Sequence, residues 1–441
     1  MNLRIKSGSA LVGEVSLPGD KSISHRAALF SALAFGKSKV MNFLKAGVTD
    51  VMLNAIEQLG VNWTLQQNEL IILSKGFKNF TPLTKTLYCG NSGTTLRLLT
   101  GALVSANVKV ILDGSEGLRK RPMRRVVDPL KKMGAQIEIT DQGTAPIEIF
   151  PLKPQMKLSG IEHILSVASA QVKTAILLAG LTADGKTTII EPMKSRDHTE
   201  RMFSGMGLTL SEQHEGLKHI ISLDPLQGRH LQPLDFTIPG DFSSASFLIV
   251  SALITPGSEI VLKSVGLNPT RTGLLDVLLR MGADISINNQ VETCNESVGD
   301  IIIKHSQLGG IKVTGEEVVR MIDEFPVFAV AAAYAEGETE VSGAIELRYK
   351  ESDRISAICN QLSSVGVKVV EKDDGFIVFG CEQPSGGESN PGGDHRLAMA
   401  MVVCGLNSKG TISISQADIF LESFPDFVRI LKSLGANITY E

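Results

Sequence analysis

Arg348-Tyr-Lys-Glu-Ser-Asp-Arg354 packs five charges into seven positions, and upstream Met321-Ile-Asp-Glu-Phe-Pro326 places Asp323 just before an apolar run. A carboxylate flanked by Lys350 and Arg354 can be held ionised for base work, or can shuttle protons as a general acid/base. A second kind of chemistry is spread along the chain. Short polar openings precede apolar runs, marked by Lys21, Ser22 and Arg26, by Asn91, Thr94 and Arg97, by Ser169 and Gln171, and by His395 and Arg396. Helix N-termini offer free N–H groups and a positive dipole end, so such openings attract anions. Hydrogen bonds to a charged group contribute about 1.5–3 kcal/mol each, so four or five converging would hold a small ligand carrying phosphate and carboxylate. Taken singly, each Lys or Arg also reads as a solvated surface charge, and the 348–354 run as a salt-bridged helix face.

The elements that must position these residues repeat. A large apolar residue, two variable ones, Met/Leu/Val and Gly recur at Ile56–Gly60, Leu130–Gly134, Phe203–Gly207, Leu278–Gly282, Leu362–Gly366 and Leu431–Gly435. The successive gaps between the glycines are 74, 73, 75, 84 and 69 residues. Each copy reads as a helix ending on a left-handed glycine cap, followed by a short alternating strand such as Gln136–Ile139 or Asp284–Ile287. Upstream lies a more apolar helix with a polar opening at Ser22–Ser24, Ser92–Thr94, Ser169–Gln171, Ser243–Ala245, Glu324–Pro326 or Asp394–Arg396. A strand follows it, as at Lys109–Leu112 and Glu259–Leu262. One unit is therefore helix, strand, helix, strand, strand. Ser16-Leu-Pro-Gly-Asp20 matches Thr237-Ile-Pro-Gly-Asp241, 221 residues later, so the six units group as two halves of three.

The remaining signals mostly exclude. The 441 residues are 43% apolar and 20% charged, with 43 Lys+Arg against 47 Asp+Glu for a net charge of −4. That is an ordinary globular composition with no basic excess for nucleic acid. The cluster Arg119-Lys-Arg121 with Arg124 and Arg125 lacks the aromatics of a nucleic-acid patch. No apolar run reaches membrane-span length, and Met1–Gly13 is no signal peptide. Cys89, Cys294, Cys359, Cys381 and Cys404 form no C-x-x-C pair, which fits a reducing cytosol and argues against zinc. Gly19-Asp-Lys-Ser22 lacks the earlier glycine of a nucleotide P-loop. His214 and His219 read as surface residues of a polar loop, and Ser385–Gly393 as a loop.

The motifs together resemble the EPSP synthase (3-phosphoshikimate 1-carboxyvinyltransferase) family of enolpyruvyl transferases. They are Leu17-Pro-Gly-Asp-Lys-Ser-Ile-Ser-His-Arg26, Gly90-Asn-Ser-Gly-Thr-Thr-Leu-Arg97, Arg121-Pro-Met, Ser169-Ala-Gln-Val-Lys-Thr and Ser195-Arg-Asp-His-Thr-Glu. Asn268-Pro-Thr-Arg-Thr-Gly, Ile322-Asp-Glu-Phe-Pro, Lys350-Glu-Ser-Asp-Arg354 and Asp394-His-Arg396 complete the set. The resemblance implies an α/β (α+β) fold of two inverse α/β-barrel-like domains, each of three units, joined by a two-stranded hinge of the two Pro-Gly-Asp segments. One domain would be residues 1–20 with 240–441, the other 21–239.

The resemblance further implies transfer of the enolpyruvyl group of phosphoenolpyruvate to the 5-hydroxyl of shikimate 3-phosphate, by addition and elimination through a tetrahedral intermediate. No cofactor or metal is needed, since phosphoenolpyruvate already carries the enol. Phosphoenolpyruvate would be held by Lys21, Asn91, Gly93, Thr94, Arg121, Gln171, Arg354 and Arg396. Shikimate 3-phosphate would be held by Lys21, Ser22, Arg26, Ser169, Ala170, Gln171, Arg196, Asp323 and Lys350. Asp323 would orient or deprotonate the hydroxyl, while Glu351 and Lys21 move the proton on and off the methylene carbon. The expected partners are these two small molecules, with neither nucleic acid nor membrane, for a cytoplasmic monomer.

Two positions differ from spellings found in part of the family. Glu422 precedes Ser423-Phe-Pro425 where some members have lysine, so that phosphoenolpyruvate contact is absent or supplied elsewhere. Gly93 stands where glyphosate-tolerant members carry alanine, so glyphosate is expected to compete with phosphoenolpyruvate. UDP-N-acetylglucosamine enolpyruvyl transferases are the near rival, but no cysteine lies in Asp113–Arg125, where they normally carry one. A non-catalytic phosphate-binding scaffold is the rival of another class. Acidic Asp323 and Glu351 among the cations would serve it nothing.

Overall fold

Each of the six apolar helices is buried along nearly its whole length, and that burial organises the fold. Phe325–Ala333 (Phe-Pro-Val-Phe-Ala-Val-Ala-Ala-Ala) and Phe242–Ile254 have no exposed residue at all. A helix apolar on every face must be covered on every face. The computed structural model describes residues 1–441, which divide into two compact units. One comprises residues 21–238 with 293–296; the other comprises 1–20, 239–292 and 297–441. In the first, helices Lys21–Leu33, Gly93–Ala106 and Ala170–Gly180 pack in sequence, and sheets cover them. In the second, Phe242–Ile254, Phe325–Ala333 and His395–Cys404 do the same. Each unit has its own continuous apolar core.

The second helices, such as Gly47–Gln58 and Arg124–Lys132, are amphipathic and end at the recurring glycines. Gly60, Gly134, Gly207, Gly282, Gly366 and Gly435 have φ of 89°, 96°, 85°, 95°, 85° and 115°, as a left-handed cap requires. The helix–strand–helix–strand–strand reading holds, with an addition. Every sheet has four strands, because an extra short strand pairs parallel to the first strand of the unit. Leu87–Tyr88 beside Val110–Asp113 is one example, and Lys312–Val313 beside Glu338–Val341 is another. Two- and three-residue strands are too short for a period-2 pattern, so the sequence does not announce them. The segment read as a loop at Ser385–Gly393 likewise contains a strand, Gly387–Ser389, paired with Ile412–Ile414.

The chain ends close the sheets. Leu3–Lys6 lies between Ile412–Ile414 and Asn437–Tyr440, with Ile5 opposite both Ile412 and Ile438. Val12–Ser16 pairs in parallel with Glu259–Gly266. The two Pro-Gly-Asp segments lie side by side: Asp20 N–H donates to Pro239 O at 2.9 Å, and Asp241 N–H to Pro18 O at 3.0 Å. His214 and His219 occupy strands Leu210–Glu215 and Lys218–Leu223 instead of a polar loop. His219 is fully buried because it shares the inward face with Ile221 and Leu223.

Helices Gly93–Ala106 and Ala170–Gly180 approach until a Cβ on Gly101 would stand 2.2 Å from Ala175 O. Gly101→Ala must therefore push apart two helices that carry Arg97 and Gln171. An overpacking cost of about 1–3 kcal/mol is expected, read as a lower urea midpoint. An unchanged midpoint would mean that the helices separate without penalty.

Candidate active site

The three helix openings of the 21–238 unit are tied together by side chains. In the first, His25 Nδ1–H donates to Lys21 O at 2.8 Å, which aims Nε2 at Ser92 Oγ, 3.4 Å away. Ser92 caps the second helix by accepting Thr95 N–H at 3.1 Å. Burial drives the His25 ring down to a pKa of about 4, against the backbone hydrogen bond that favours its charge. It is therefore neutral, as Nε2 must be to accept a hydroxyl proton. Gln171, in the third opening, accepts from Arg97 Nη1 at 2.5 Å and donates to Thr94 Oγ1 at 2.9 Å. Asn91 Oδ1 accepts Ser115 Oγ at 3.1 Å, joining the opening to the loop that leads to Arg121. A Cβ on Gly93 would meet Arg121 Nη1 at 3.0 Å and Arg97 Nη1 at 3.1 Å, so both guanidinium groups lean over this helix end.

Lys21, Ser22, Asn91, Thr94, Arg121, Ser169, Ala170, Gln171 and Arg196 all keep partly exposed surface there. Arg26 stands differently, at 2% exposure. It donates from Nε to Thr199 Oγ1 at 2.8 Å, from Nη2 to Thr174 Oγ1 at 3.1 Å and from Nη1 to Ser22 O at 3.1 Å. It thus braces three helices. Of the basic run, Arg119 is held by both oxygens of Asp113 and Lys120 by Glu116, which leaves Arg121 as the member directed to the Gly93 opening.

The other unit gathers Asp323, Lys350, Glu351, Arg354 and Arg396. Asp323 Oδ1 is 3.4 Å from both Lys350 Nζ and Arg354 Nη1, and its Oδ2 is 3.9 Å from Arg396 Nη2. Arg396 Nη1 also donates to Asp323 O at 3.0 Å. Glu351 Oε2 accepts Arg354 Nη2 at 2.7 Å. Arg354 itself is completely buried, and Asp394 holds it with Oδ2 at 2.8 Å and Oδ1 at 3.3 Å. Burial disfavours the charge on Arg354, yet Asp394 and Glu351 keep it firmly protonated. Asp394 is pulled below the usual carboxylate range by Arg354 against the opposite effect of burial. Asp394 also caps its helix by accepting Arg396 N–H at 3.0 Å. A carboxylate surrounded by three cations can orient or take a hydroxyl proton, and the cations can hold anionic groups.

Several residues here escaped the sequence reading. Asp394 was visible as a helix opening, but its grip on Arg354 spans 40 residues. Arg271, fully buried, reaches Asp20 at 3.5 Å, Asp241 at 3.3 Å and Ser243 Oγ at 2.8 Å, and so clamps the two Pro-Gly-Asp segments. Glu324, also buried, lies 3.9 Å from Arg271 and 3.8 Å from Arg396. The motif around Arg271 and the two Pro-Gly-Asp segments were visible in the sequence, while their pairing had no local signal.

The buried neutral His25 carries an acid sensitivity. Its pKa is about 4 in the folded chain against 6.5 ordinarily, so between these pH values the unfolded chain binds the extra proton. Stability from this group is complete above about pH 6.5 and falls as pH drops towards 4, by at most about 3 kcal/mol. The thermal midpoint should decline over that window, with a shallower slope in His25→Gln; equal slopes would remove His25 as the cause.

Known proteins share both the sequence and the architecture. The model of the EPSP synthase (3-phosphoshikimate 1-carboxyvinyltransferase) family matches residues 5–431. The 3-phosphoshikimate 1-carboxyvinyltransferase of Geobacter metallireducens is 44% identical over 433 residues, 98% of this chain and 99% of the relative. That of Carboxydothermus hydrogenoformans is 47% identical over 426 residues, 96% and 97% of the two chains. Among solved structures, the EPSP synthase of Acinetobacter baumannii superimposes with a TM-score of 0.87 at 40% identity, covering 99% of both chains. The enolpyruvyl transferase NikO of Streptomyces tendae shares the fold, with a TM-score of 0.77 at 18% identity over 100% and 98% of the chains. With a family match over nearly its whole length, and relatives this similar from end to end, the chain belongs to the EPSP synthase family.

Proposed function

We propose that this chain transfers the enolpyruvyl group of phosphoenolpyruvate to the 5-hydroxyl of shikimate 3-phosphate, releasing phosphate. Family membership supports the reaction. The observation that carries the chemistry is the Asp323 carboxylate set among Lys350, Arg354 and Arg396, with Glu351 on the same Arg354. Glu351 or Lys21 delivers a proton to the methylene carbon of the enol, leaving the adjacent carbon electron-poor. The 5-hydroxyl adds to that carbon as Asp323 orients it and takes its proton, giving a tetrahedral intermediate. The carbon–oxygen bond to phosphate then breaks with its electron pair, and loss of a proton from the methyl group restores the double bond. General acid/base assistance of this kind is worth about 10²–10⁴-fold.

Lys21, Arg121, Arg354 and Arg396 hold phosphoenolpyruvate in this reading, aided by Asn91, Gly93, Thr94 and Gln171. Ser22, Arg26, Ser169, Ala170, Gln171, Arg196, Asp323 and Lys350 hold the shikimate phosphate and ring, with Lys21 shared between the substrates. Arg26 acts largely by bracing, given its three protein acceptors. Glu422 supplies no cation. No helix is long and apolar enough to cross a membrane, and all five cysteines are free. A cytoplasmic monomer acting on these two small molecules completes the proposal.

Phosphate release on mixing the protein with shikimate 3-phosphate and phosphoenolpyruvate tests the reaction. Release with UDP-N-acetylglucosamine as acceptor, and none with shikimate 3-phosphate, would transfer the assignment to the rival. Glu351→Gln keeps an oxygen for Arg354 but loses the ionisable group. It should lower kcat by about 10²–10⁴-fold with substrate binding largely kept, and unchanged turnover would take Glu351 off the proton path.

Glyphosate is expected to compete with phosphoenolpyruvate, and Gly93→Ala to raise its inhibition constant by crowding the space beneath Arg121 and Arg97. Turnover indifferent to millimolar glyphosate in the unmodified protein would refute this.

A further inference from the structure

Lys173 lies two residues beyond Gln171, on the same helix, with no exposed side-chain surface. Its Nζ is 2.7 Å from Glu191 Oε1 and 2.6 Å from Glu200 Oε1, both carboxylates being buried. Glu191 ends the strand Thr187–Glu191, and Glu200 belongs to the helix His198–Gly205. Between them, residues 192–197 have no regular secondary structure. Within that stretch Ser195 is pinned to Glu191 by its backbone N–H at 3.0 Å and its hydroxyl at 2.6 Å, and its carbonyl is 3.5 Å from Lys173 Nζ. Arg196 is the next residue. These contacts therefore set where Arg196 stands, in place of a backbone ladder. A second bracket lies alongside, where Thr174 and Thr199 share a 2.6 Å hydrogen bond and Arg26 donates to both.

The ion group extends outward through His219. Both of its ring nitrogens face carboxylates, Glu191 Oε1 and Glu212 Oε2, each at 3.0 Å, and against burial these two raise the ring above the usual imidazole range. Burial opposes ionisation of Glu191, yet Lys173, His219 and Ser195 bring its pKa to about 2. Burial raises Glu200 above the usual range, with Lys173 pulling the other way. Replacing a buried ion group by apolar residues of similar volume is often neutral or stabilising, so stability alone is a weak reason to keep this one.

We propose that Lys173 is a positioning residue for the transfer reaction: through Glu191 and Glu200 it fixes the Ser195–Arg196 segment against the Ser169–Gln171 helix opening, so that both grip the phosphate of shikimate 3-phosphate. This rests on the function proposed above. Phosphoenolpyruvate, in that reading, is held mainly by other residues, so the two substrates should respond differently.

The test measures the Kd of shikimate 3-phosphate by calorimetry, the KM of each substrate and the thermal midpoint, for the full chain and for Lys173→Met. The folded variant should bind shikimate 3-phosphate at least about tenfold more weakly, because the freed segment must be ordered on binding. The KM for phosphoenolpyruvate, with shikimate 3-phosphate saturating, should move far less. If Lys173→Met does not fold, Glu191→Gln carries the same comparison, since it keeps the side-chain size and one acceptor oxygen. A lowered thermal midpoint with an unchanged Kd overturns the role of Lys173, as does an equal loss for both substrates. No binding of shikimate 3-phosphate by the unmodified chain overturns instead the reading of function beneath it.

Discussion

A helix that is apolar on every side has only its ends left for polar chemistry. Phe242–Ile254, Phe325–Ala333 and His395–Cys404 are buried throughout, and Lys21–Leu33, Gly93–Ala106 and Ala170–Gly180 nearly so. Their N-terminal openings, capped by Ser92, Ser169, Asp241 and Asp394, are where unpaired N–H groups and polar side chains collect. Burial of these helices thus does two things at once. It supplies the cores of both units, and it confines anion-attracting groups to one kind of place.

Cations at such places must be held still, and the structure does so with buried carboxylates. Arg354 rests on Asp394, Arg271 on Asp20 and Asp241, and Lys173 on Glu191 and Glu200. In each case an isolated buried charge would be costly, so the partner is obligatory. The near-neutral net charge of −4 conceals this arrangement, because Arg354, Arg271 and Lys173 are each matched by acids from other elements of the chain. Neutral groups complete the frame: His25 and Gln171 join neighbouring openings without adding charge.

The sheets depend on an economy of strands. Residues 3–16 supply strands to two sheets of the unit that also contains the C-terminus, and Asp235–Thr237 pairs with Phe35–Met41 in the other unit. Each repeat is therefore incomplete without a strand from elsewhere. This is the ordinary condition of repeat architectures, in which no unit buries its apolar face alone.

The repeated helices with their glycine caps and the polar openings were legible in the sequence, and Lys21, Asp323, Glu351, Arg354 and Arg396 stood out there as candidates. Each is a local pattern: an apolar period, a capping residue or a motif a few residues long. Legible too was the family, because its motifs run the length of the chain. What only the tertiary structure decided were pairings across long separations, such as Arg354 with Asp394, Arg26 with Thr174 and Thr199, and Lys173 with Glu191 and Glu200. His219 changed from a surface residue to a buried one for the same reason. The partner of a buried polar group is set by which faces meet when the helices and sheets pack, and nothing in the local spacing of residues records that.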